Sequence, residues 1–189
     1  MRMAMPMSLP NLITIARILL VPLTVWLLIS GAYLPAGLTF AIAGLSDAVD
    51  GFIARRFNLQ TDLGTYLDPL ADKALLVSIY VTLSVLHILP AWLAIAVVTR
   101  DLLIVGAVIL SWLMDKPLTM KPLWISKVNT AWQIIFAVIV LACLAAGIES
   151  LWPITFGGIL VGILTAASGA VYMRSWVAHM SARNEDRAG

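Results

Sequence analysis

Residues 47–72 read DAVDGFIARRFNLQTDLGTYLDPLAD and place four aspartates in an otherwise apolar chain. Asp47 and Asp50 are three residues apart, and Asp68 and Asp72 are four residues apart. If both flanking segments are helical, each pair projects from one face of its helix. The pattern therefore predicts two helix ends that offer four carboxylates to one space.

Four carboxylates in one space require cations between them, because like charges at close range otherwise force some of the acids to take up protons. The segment contains no His or Cys, so all its strong ligands are oxygen atoms. Oxygen ligands favour a hard ion such as Mg²⁺ or Mn²⁺, with Ca²⁺ as an alternative, over zinc or copper. The sequence therefore predicts two divalent ions suited to hold a phosphoryl group during an in-line displacement.

The other residues of the segment suit a phosphate ligand. Gly51, Ala54 and Gly64 remove side-chain bulk where a ligand has to approach the backbone closely. Arg55 adds a planar cation whose donors match phosphate oxygens. The alternative is an acidic loop without a catalytic role, and agreement at eight spaced positions argues against it.

The full pattern, D-x2-D-G-x2-A-R-x8-G-x3-D-x3-D, resembles the signature of the CDP-alcohol phosphotransferase (CDP-alcohol phosphatidyltransferase) family at every position. The resemblance implies six transmembrane helices, a homodimer, two metal ions, and transfer of a phosphatidyl or similar group from a CDP-linked donor to an alcohol. It implies that Asp72 is the general base and that the metal ligands are Asp47, Asp50, Asp68 and Asp72. It also implies that the donor nucleotide is lined by Gly51, Ala54, Arg55 and Gly64.

The composition indicates an integral membrane protein. Of the 189 residues, 61% are hydrophobic and only 12% are charged, which is far from the average of soluble domains. The net charge of +2 does not indicate a nucleic-acid partner, because the cations are scattered between apolar runs and form no basic stripe. Cys143 is the single cysteine, so no intramolecular disulfide is expected.

The apolar runs predict an all-α polytopic membrane protein with six transmembrane helices, because each span needs about 20 apolar residues. The predicted spans cover about 12–30, 36–56, 64–87, 91–113, 127–147 and 154–178. They form one transmembrane catalytic domain over residues 1–180, and residues 181–189 form a polar tail. The first run is long enough to span, so we expect no cleaved secretory signal.

Of the cations that lie inside these spans or at their edges, three outside the aspartate motif are candidates for a role in the site. Arg17 is either functional or reaches out to the interface from a shallow position. Arg100, next to Asp101, either forms a structural ion pair or helps to hold an anionic acceptor. Lys127, at the start of the fifth span, is the second candidate for binding the acceptor.

Two further segments bear on the acceptor and on helix packing. The stretch ISKVNTAWQ, at residues 125–133, is similar to the corresponding part of the eukaryotic-type cardiolipin synthases, a branch of the same family. That resemblance implies phosphatidylglycerol as the acceptor, with glycerol 3-phosphate as the alternative. Gly158 and Gly162 form a small-xxx-small pair, which permits close helix approach either within the bundle or across a dimer.

The distribution of positive charge predicts the orientation. With a cytoplasmic N-terminus, the Lys- and Arg-bearing ends all lie on the cytoplasmic side, and the three opposite turns carry neither residue. We therefore expect a bacterial inner (plasma) membrane protein with both termini and the active site at the cytoplasmic boundary, in contact with membrane lipid. The competing class is a cation channel or carrier, whose site usually lies near the midplane of the membrane.

Overall fold

Six α-helices make up the computed structural model, which describes residues 9–57, 62–113, 124–148 and 151–185. Side chains are described for residues 15–46, 73–111, 113, 124–148 and 152–178. The helices are α1 (Leu9–Ile29), α2 (Tyr33–Phe57), α3 (Asp62–Val85), α4 (Ala91–Leu113), α5 (Trp124–Ala145) and α6 (Leu151–Glu185). The predicted all-α class and the number of helices are confirmed.

Five of the six helices extend past the predicted spans, by up to three residues in α1, α2, α3 and α5 and by more in α6. α5 begins at Trp124, three residues before the predicted start at 127. α6 continues to Glu185, so the first five residues of the predicted polar tail at 181–189 are helical. The reason is that hydropathy marks where the membrane ends, whereas residues 179–185, HMSARNE, contain no Gly or Pro to stop the helix.

Several helices have the length and apolar surface of membrane spans. Three segments qualify among the described residues, namely Ala91–Ser111, Trp124–Ala145 and Trp152–Ala178. In α1, α2 and α3 the described apolar segments are shorter, at Ile15–Ile29, Tyr33–Ser46 and Lys73–Val85. Large apolar side chains such as Leu19, Leu102 and Trp124 are exposed along the helices. This apolar surface is that of an integral membrane protein.

Backbone contacts divide the chain into two compact units. The first unit comprises Met1–Ile88 and Ala137–Ser150, and the second comprises Leu89–Phe136 and Leu151–Gly189. The boundary between them falls inside α5. The single catalytic domain over 1–180 stays a prediction.

In the first unit, α1 packs against both α2 and α3, and α2 contacts α3. The core is apolar, with Leu28, Ile79 and Leu83 fully buried. Thr24 and Thr39 add a polar contact, because the Thr24 Oγ1 donates to the Thr39 Oγ1 at 3.2 Å. This bond joins α1 to α2 and sets the level at which the two helices face one another.

In the second unit, α4 packs against α6 through small residues. A Cβ added to Gly162 would lie 2.6 Å from the Trp92 Cζ3, and one added to Gly158 would lie 3.5 Å from the Leu93 Cδ2. The small-xxx-small pair therefore lets α4 approach α6 within one chain. Of the two alternatives for this pair, the structure shows the contact within the bundle.

Three helix ends close with the same backbone motif. At the end of α1 the Ala32 amide donates to the Leu27 carbonyl at 2.9 Å and the Gly31 amide donates to the Leu28 carbonyl at 3.0 Å. This is a Schellman cap, and Gly31 supplies its left-handed residue with φ of 74°. The ends of α3 and α5 repeat the pattern at His87 and Gly147.

We expect Gly31→Ala to lower the free energy of unfolding by about 1 kcal/mol, because a Cβ is strained at positive φ. No atom lies within 4 Å of the added Cβ, so packing does not contribute to the loss. Gly106→Ala is the matched control, since it also places a Cβ in open space but lies inside α4. It should be neutral or raise stability by up to about 1 kcal/mol. Thermal unfolding of the purified protein in detergent measures both, and equal effects would contradict the backbone explanation.

Candidate functional site

The aspartate motif lies on helical backbone at the adjoining ends of two helices. Residues 47–55 belong to the last turns of α2, and residues 64–72 belong to the first turns of α3. The paired arrangement was predicted on the condition that both segments that carry the aspartates are helical, and that condition is confirmed. The side chains of residues 47–57 and 62–72 lie outside the described part of the chain, so these assignments stay predictions: Asp47, Asp50, Gly51, Ala54, Arg55, Gly64, Asp68 and Asp72.

The buried side of α2 leads to the first aspartate pair. Ala36, Phe40 and Ala43 are buried, at steps of four and three residues. Continuing those steps along the same helix reaches Asp47 and then Asp50. Both aspartates therefore occupy positions that continue the buried stripe of α2.

The same relation holds in α3. Leu75, Leu76 and Ile79 are buried in the first unit. Asp72 precedes Ile79 by seven residues and Leu76 by four, and Asp68 precedes Leu75 by seven. Two turns of helix take up about seven residues, so both aspartates continue the buried stripe of α3. Because α2 and α3 contact one another, their stripes belong to the same packed unit.

Arg17 is buried in this unit. Its side chain retains only 1% of its accessible surface, so the alternative in which it reaches out to the interface is wrong. Thr24, seven residues further along α1, is also buried, which places both side chains on one face of the helix. Arg17 is buried because α1 turns this face toward its neighbours α2 and α3 and away from the lipid and solvent.

Arg100 lies at the centre of a buried polar cluster in the second unit. Its Nη1 forms an ion pair with the Asp101 Oδ1 at 2.7 Å, and its Nη2 donates to the Ser168 Oγ at 2.8 Å. The same Nη2 also donates to the Ser126 Oγ. Arg100 retains 4% of its surface and Asp101 retains 7%. The structural ion pair, one of the two alternatives from the sequence, is therefore present.

Lys127 differs from Arg100 in its surroundings. It follows Ser126 in α5 and its side chain is exposed. Of the two cations proposed to bind the acceptor, Arg100 is therefore buried and Lys127 is exposed, and both belong to the second unit. Their role toward an acceptor stays a prediction.

A second polar group continues the Arg100 cluster one helix turn away. The Gln133 Nε2 donates to the Thr165 Oγ1 at 3.1 Å, and the Thr165 Oγ1 donates to the Asn129 Oδ1 at 3.0 Å. All three residues are buried. Asn129 lies three residues after Ser126 in α5, and Thr165 lies three before Ser168 in α6, so a polar seam joins α5 to α6.

Asn129 and Gln133, the α5 half of this seam, lie within the stretch at 125–133 that resembles cardiolipin synthases, whereas the α6 half was missed from the sequence. Thr165 and Ser168 are single hydroxyls in a long apolar run, and such residues are common in membrane helices. Their spacing of three residues was the available signal, because it puts both on one face of α6. The Asn129 Nδ2 is buried and has no hydrogen-bond partner in the described part of the chain.

Comparisons with known proteins agree with the motif. The cardiolipin synthase (CMP-forming) of Homo sapiens is 38% identical over 75% of this chain and 51% of its own length. The cardiolipin synthase (CMP-forming) / mitochondrial hydrolase fusion protein of Schizosaccharomyces pombe is 36% identical over 87% of this chain and 30% of its own length. The chain thus spans about half of the first of these relatives and about a third of the second.

A bacterial relative matches over most of its length. The CDP-diacylglycerol–glycerol-3-phosphate 3-phosphatidyltransferase of Pseudomonas fluorescens is 32% identical over 92% of both chains. The family model for CDP-alcohol phosphatidyltransferase matches residues 7–178, which include the entire aspartate motif and parts of all six helices. The chain therefore belongs to the CDP-alcohol phosphatidyltransferase family.

Proposed function

We propose that this protein is a phosphatidyltransferase that moves a phosphatidyl group from CDP-diacylglycerol to an alcohol acceptor and releases CMP. The observation that carries the proposal is the family match across the complete aspartate motif. The fold supports it, because the motif falls on the adjoining helical ends of α2 and α3 and continues their buried stripes. A cation carrier would not need the glycine, alanine and arginine positions between the acids.

Phosphatidylglycerol is the proposed acceptor, which makes the product cardiolipin. The similarity of residues 125–133 to cardiolipin synthases supports this, as do the relatives of that name at 36% and 38% identity. Glycerol 3-phosphate is the second candidate, because the relative matched over 92% of both chains is named for that acceptor. Both acceptors are anionic, so the same basic residues would suit either.

The donor set fits two divalent metal ions, Mg²⁺ or Mn²⁺. The motif offers only carboxylate oxygens, which hard dications prefer, and its helical backbone puts the members of each pair on one face. Asp47, Asp50, Asp68 and Asp72 would hold the ions. When bound, these ions neutralise the negative charge that develops on the phosphoryl group.

The residues of the chain have separate tasks in the proposed reaction. Asp72 takes the proton from the acceptor hydroxyl, whose oxygen then forms a bond to the lipid-side phosphorus of the donor. The bond from that phosphorus to the oxygen of CMP breaks, and CMP leaves with the electron pair. Arg55 binds donor phosphate, while Gly51, Ala54 and Gly64 leave room for the nucleotide.

The acceptor phosphate is assigned to Arg100 and Lys127. Asp101, Ser126 and Ser168 hold the Arg100 guanidinium in place through hydrogen bonds. From this position Arg100 would bind the acceptor phosphate. Lys127 is exposed beside that cluster. The buried Asn129 Nδ2 on the same helix is a further donor for an acceptor oxygen.

We further propose that all six helices cross a bacterial inner membrane as a homodimer, with the active site and both termini cytoplasmic. The lack of Lys and Arg in the turns at 30–32, 86–90 and 146–150 supports this orientation. Cysteines introduced as Leu59→Cys and Asp186→Cys, with Cys143→Ala as background, should react with a membrane-impermeant reagent only after the cells are opened. Reaction of either cysteine in intact cells would overturn the orientation.

A product assay tests the proposed function. Purified protein is incubated with CDP-diacylglycerol, Mg²⁺ and either phosphatidylglycerol or glycerol 3-phosphate, and the lipid product and CMP are identified by mass spectrometry. Cardiolipin should form with the first acceptor. Phosphatidylglycerophosphate with the second acceptor alone would assign the second candidate. Absence of CMP release with both acceptors would refute the transferase proposal and favour a carrier.

A further inference from the structure

Arg17 is a buried cation in the first unit, at 1% of its accessible surface. Thr24 and Leu28, seven and eleven residues later, are fully buried on the same face of α1. A guanidinium removed from water is costly unless a carboxylate or a phosphate compensates its charge. The acids of the first unit are the groups of this unit that could compensate the charge of Arg17.

The sequence restricts the source of that charge. α1 contains no acidic residue, and the acids of α2 and α3 are Asp62 and the four motif aspartates. The remaining acid of the first unit, Glu149, follows the C-terminal end of α5. That end of α5 packs near the start of α2, where a Cβ on Gly37 would lie 3.6 Å from the Leu141 Cβ. Of these acids, Asp47 and Asp50 belong to the last turns of α2, at the end of that helix opposite to Gly37.

The hydrogen bond between Thr24 and Thr39 sets the level of Arg17 along α2. α1 and α2 are antiparallel helices joined by a turn at residues 30–32. Arg17 lies seven residues before Thr24 in α1, and Ser46 lies seven residues after Thr39 in α2. Because the helices are antiparallel, both steps run in the same direction in space, and each covers about 10 Å. Arg17 is therefore level with the start of the motif, where Asp47 and Asp50 continue the buried stripe of α2.

We infer that Arg17 is a positioning residue for the aspartate motif, holding the carboxylates of Asp47 and Asp50 in the orientation that a divalent ion requires. The inference rests on the proposed function, since it concerns the same site. An arginine bonded to one carboxylate oxygen leaves the other oxygen for the metal. Groups that orient metal-binding carboxylates in this way change metal affinity when they are removed.

The test measures Mn²⁺ binding to the full chain in detergent, from the electron paramagnetic resonance signal of free Mn²⁺. Arg17→Gln should weaken Mn²⁺ binding roughly 10- to 100-fold. Arg17→Lys keeps the charge but loses the planar set of donors, so its affinity should lie between those of wild type and Arg17→Gln. Leu28→Met is the matched control on the same buried face, because it keeps the side-chain volume and the Thr24–Thr39 hydrogen bond, and it should bind Mn²⁺ as wild type does.

The outcomes separate the inference from the proposed function. Wild-type affinity in both Arg17 variants, with or without lower thermal stability, would overturn the positioning role. Tighter binding would also overturn it, because it would show that Arg17 only repels the ions. If Arg17→Gln does not fold, the Arg17→Lys variant decides. Wild-type protein that binds no Mn²⁺ would refute the metal site and the inference together, whereas failure of the acceptor assay alone would leave the Mn²⁺ result standing.

Discussion

Replacing Asp72 by asparagine is expected to reduce phosphatidyl transfer by roughly 100- to 10,000-fold, the usual contribution of a general base. The amide cannot take the proton of the acceptor hydroxyl, and it removes one negative charge from the metal ligands. Asp47→Asn, Asp50→Asn and Asp68→Asn should abolish transfer as well, because each removes a ligand charge. All four variants should remain folded in membranes, since the substitution conserves side-chain volume.

Asp62→Asn is the matched control for this series. Asp62 is the first residue of α3 and lies outside the motif spacing, so its loss should leave transfer close to wild type. Activity is measured as CMP released from CDP-diacylglycerol at saturating Mg²⁺. Retained activity in any two of the four motif variants would refute the arrangement with two metal ions.

Arg100→Leu is expected to lower the free energy of unfolding by about 3–5 kcal/mol, because it leaves the Asp101 carboxylate buried without its cation. It also removes the bonds that Arg100 donates to Ser126 and Ser168, which join α4 to α5 and α6. Thermal unfolding of detergent-purified protein measures the loss. The double variant Arg100→Leu with Asp101→Leu should recover much of it, since no unpaired charge then remains.

Arg174→Leu is the control for this experiment, because Arg174 belongs to α6 of the same unit but is exposed. Its effect on the free energy of unfolding should stay within about 0.5 kcal/mol.

Kinetics separate the structural role of Arg100 from its proposed role in binding the acceptor. If Arg100 binds the acceptor, its removal raises the KM for the acceptor by about ten- to a hundredfold and leaves that for CDP-diacylglycerol nearly unchanged. Unchanged stability in Arg100→Leu would contradict the ion-pair explanation.

Lys127→Ala provides the complementary measurement. Lys127 is exposed, so its removal should have little effect on stability. A raised KM for the acceptor in this variant would therefore report binding directly. An unchanged KM at both Lys127 and Arg100 would move the acceptor site elsewhere in the chain.

The sequence by itself determined the class of this protein, its six helices and its family. Apolar runs of about 20 residues are a local property, and helices in a membrane satisfy their own backbone, so each run predicts a helix independently of its neighbours. The aspartate motif is equally local, because its eight residues lie within 26 consecutive positions. Most helix ends lie one to three residues from the predicted bounds, and the end of α6 lies seven residues beyond, since hydropathy reports the edge of the membrane rather than the end of a helix.

Tertiary structure alone decided which groups the helices bring together. The sequence left open whether Arg17 reaches the interface, whether Arg100 forms an ion pair, and whether Gly158 and Gly162 face their own bundle. The structure buries Arg17, pairs Arg100 with Asp101, and sets the glycine pair against Trp92 and Leu93. The physical reason is that lipid and protein interior are both apolar, so hydropathy does not tell which face of a membrane helix turns inward. That choice depends on the rotation and level of each helix against its neighbours, and these follow only from the packing of the whole unit.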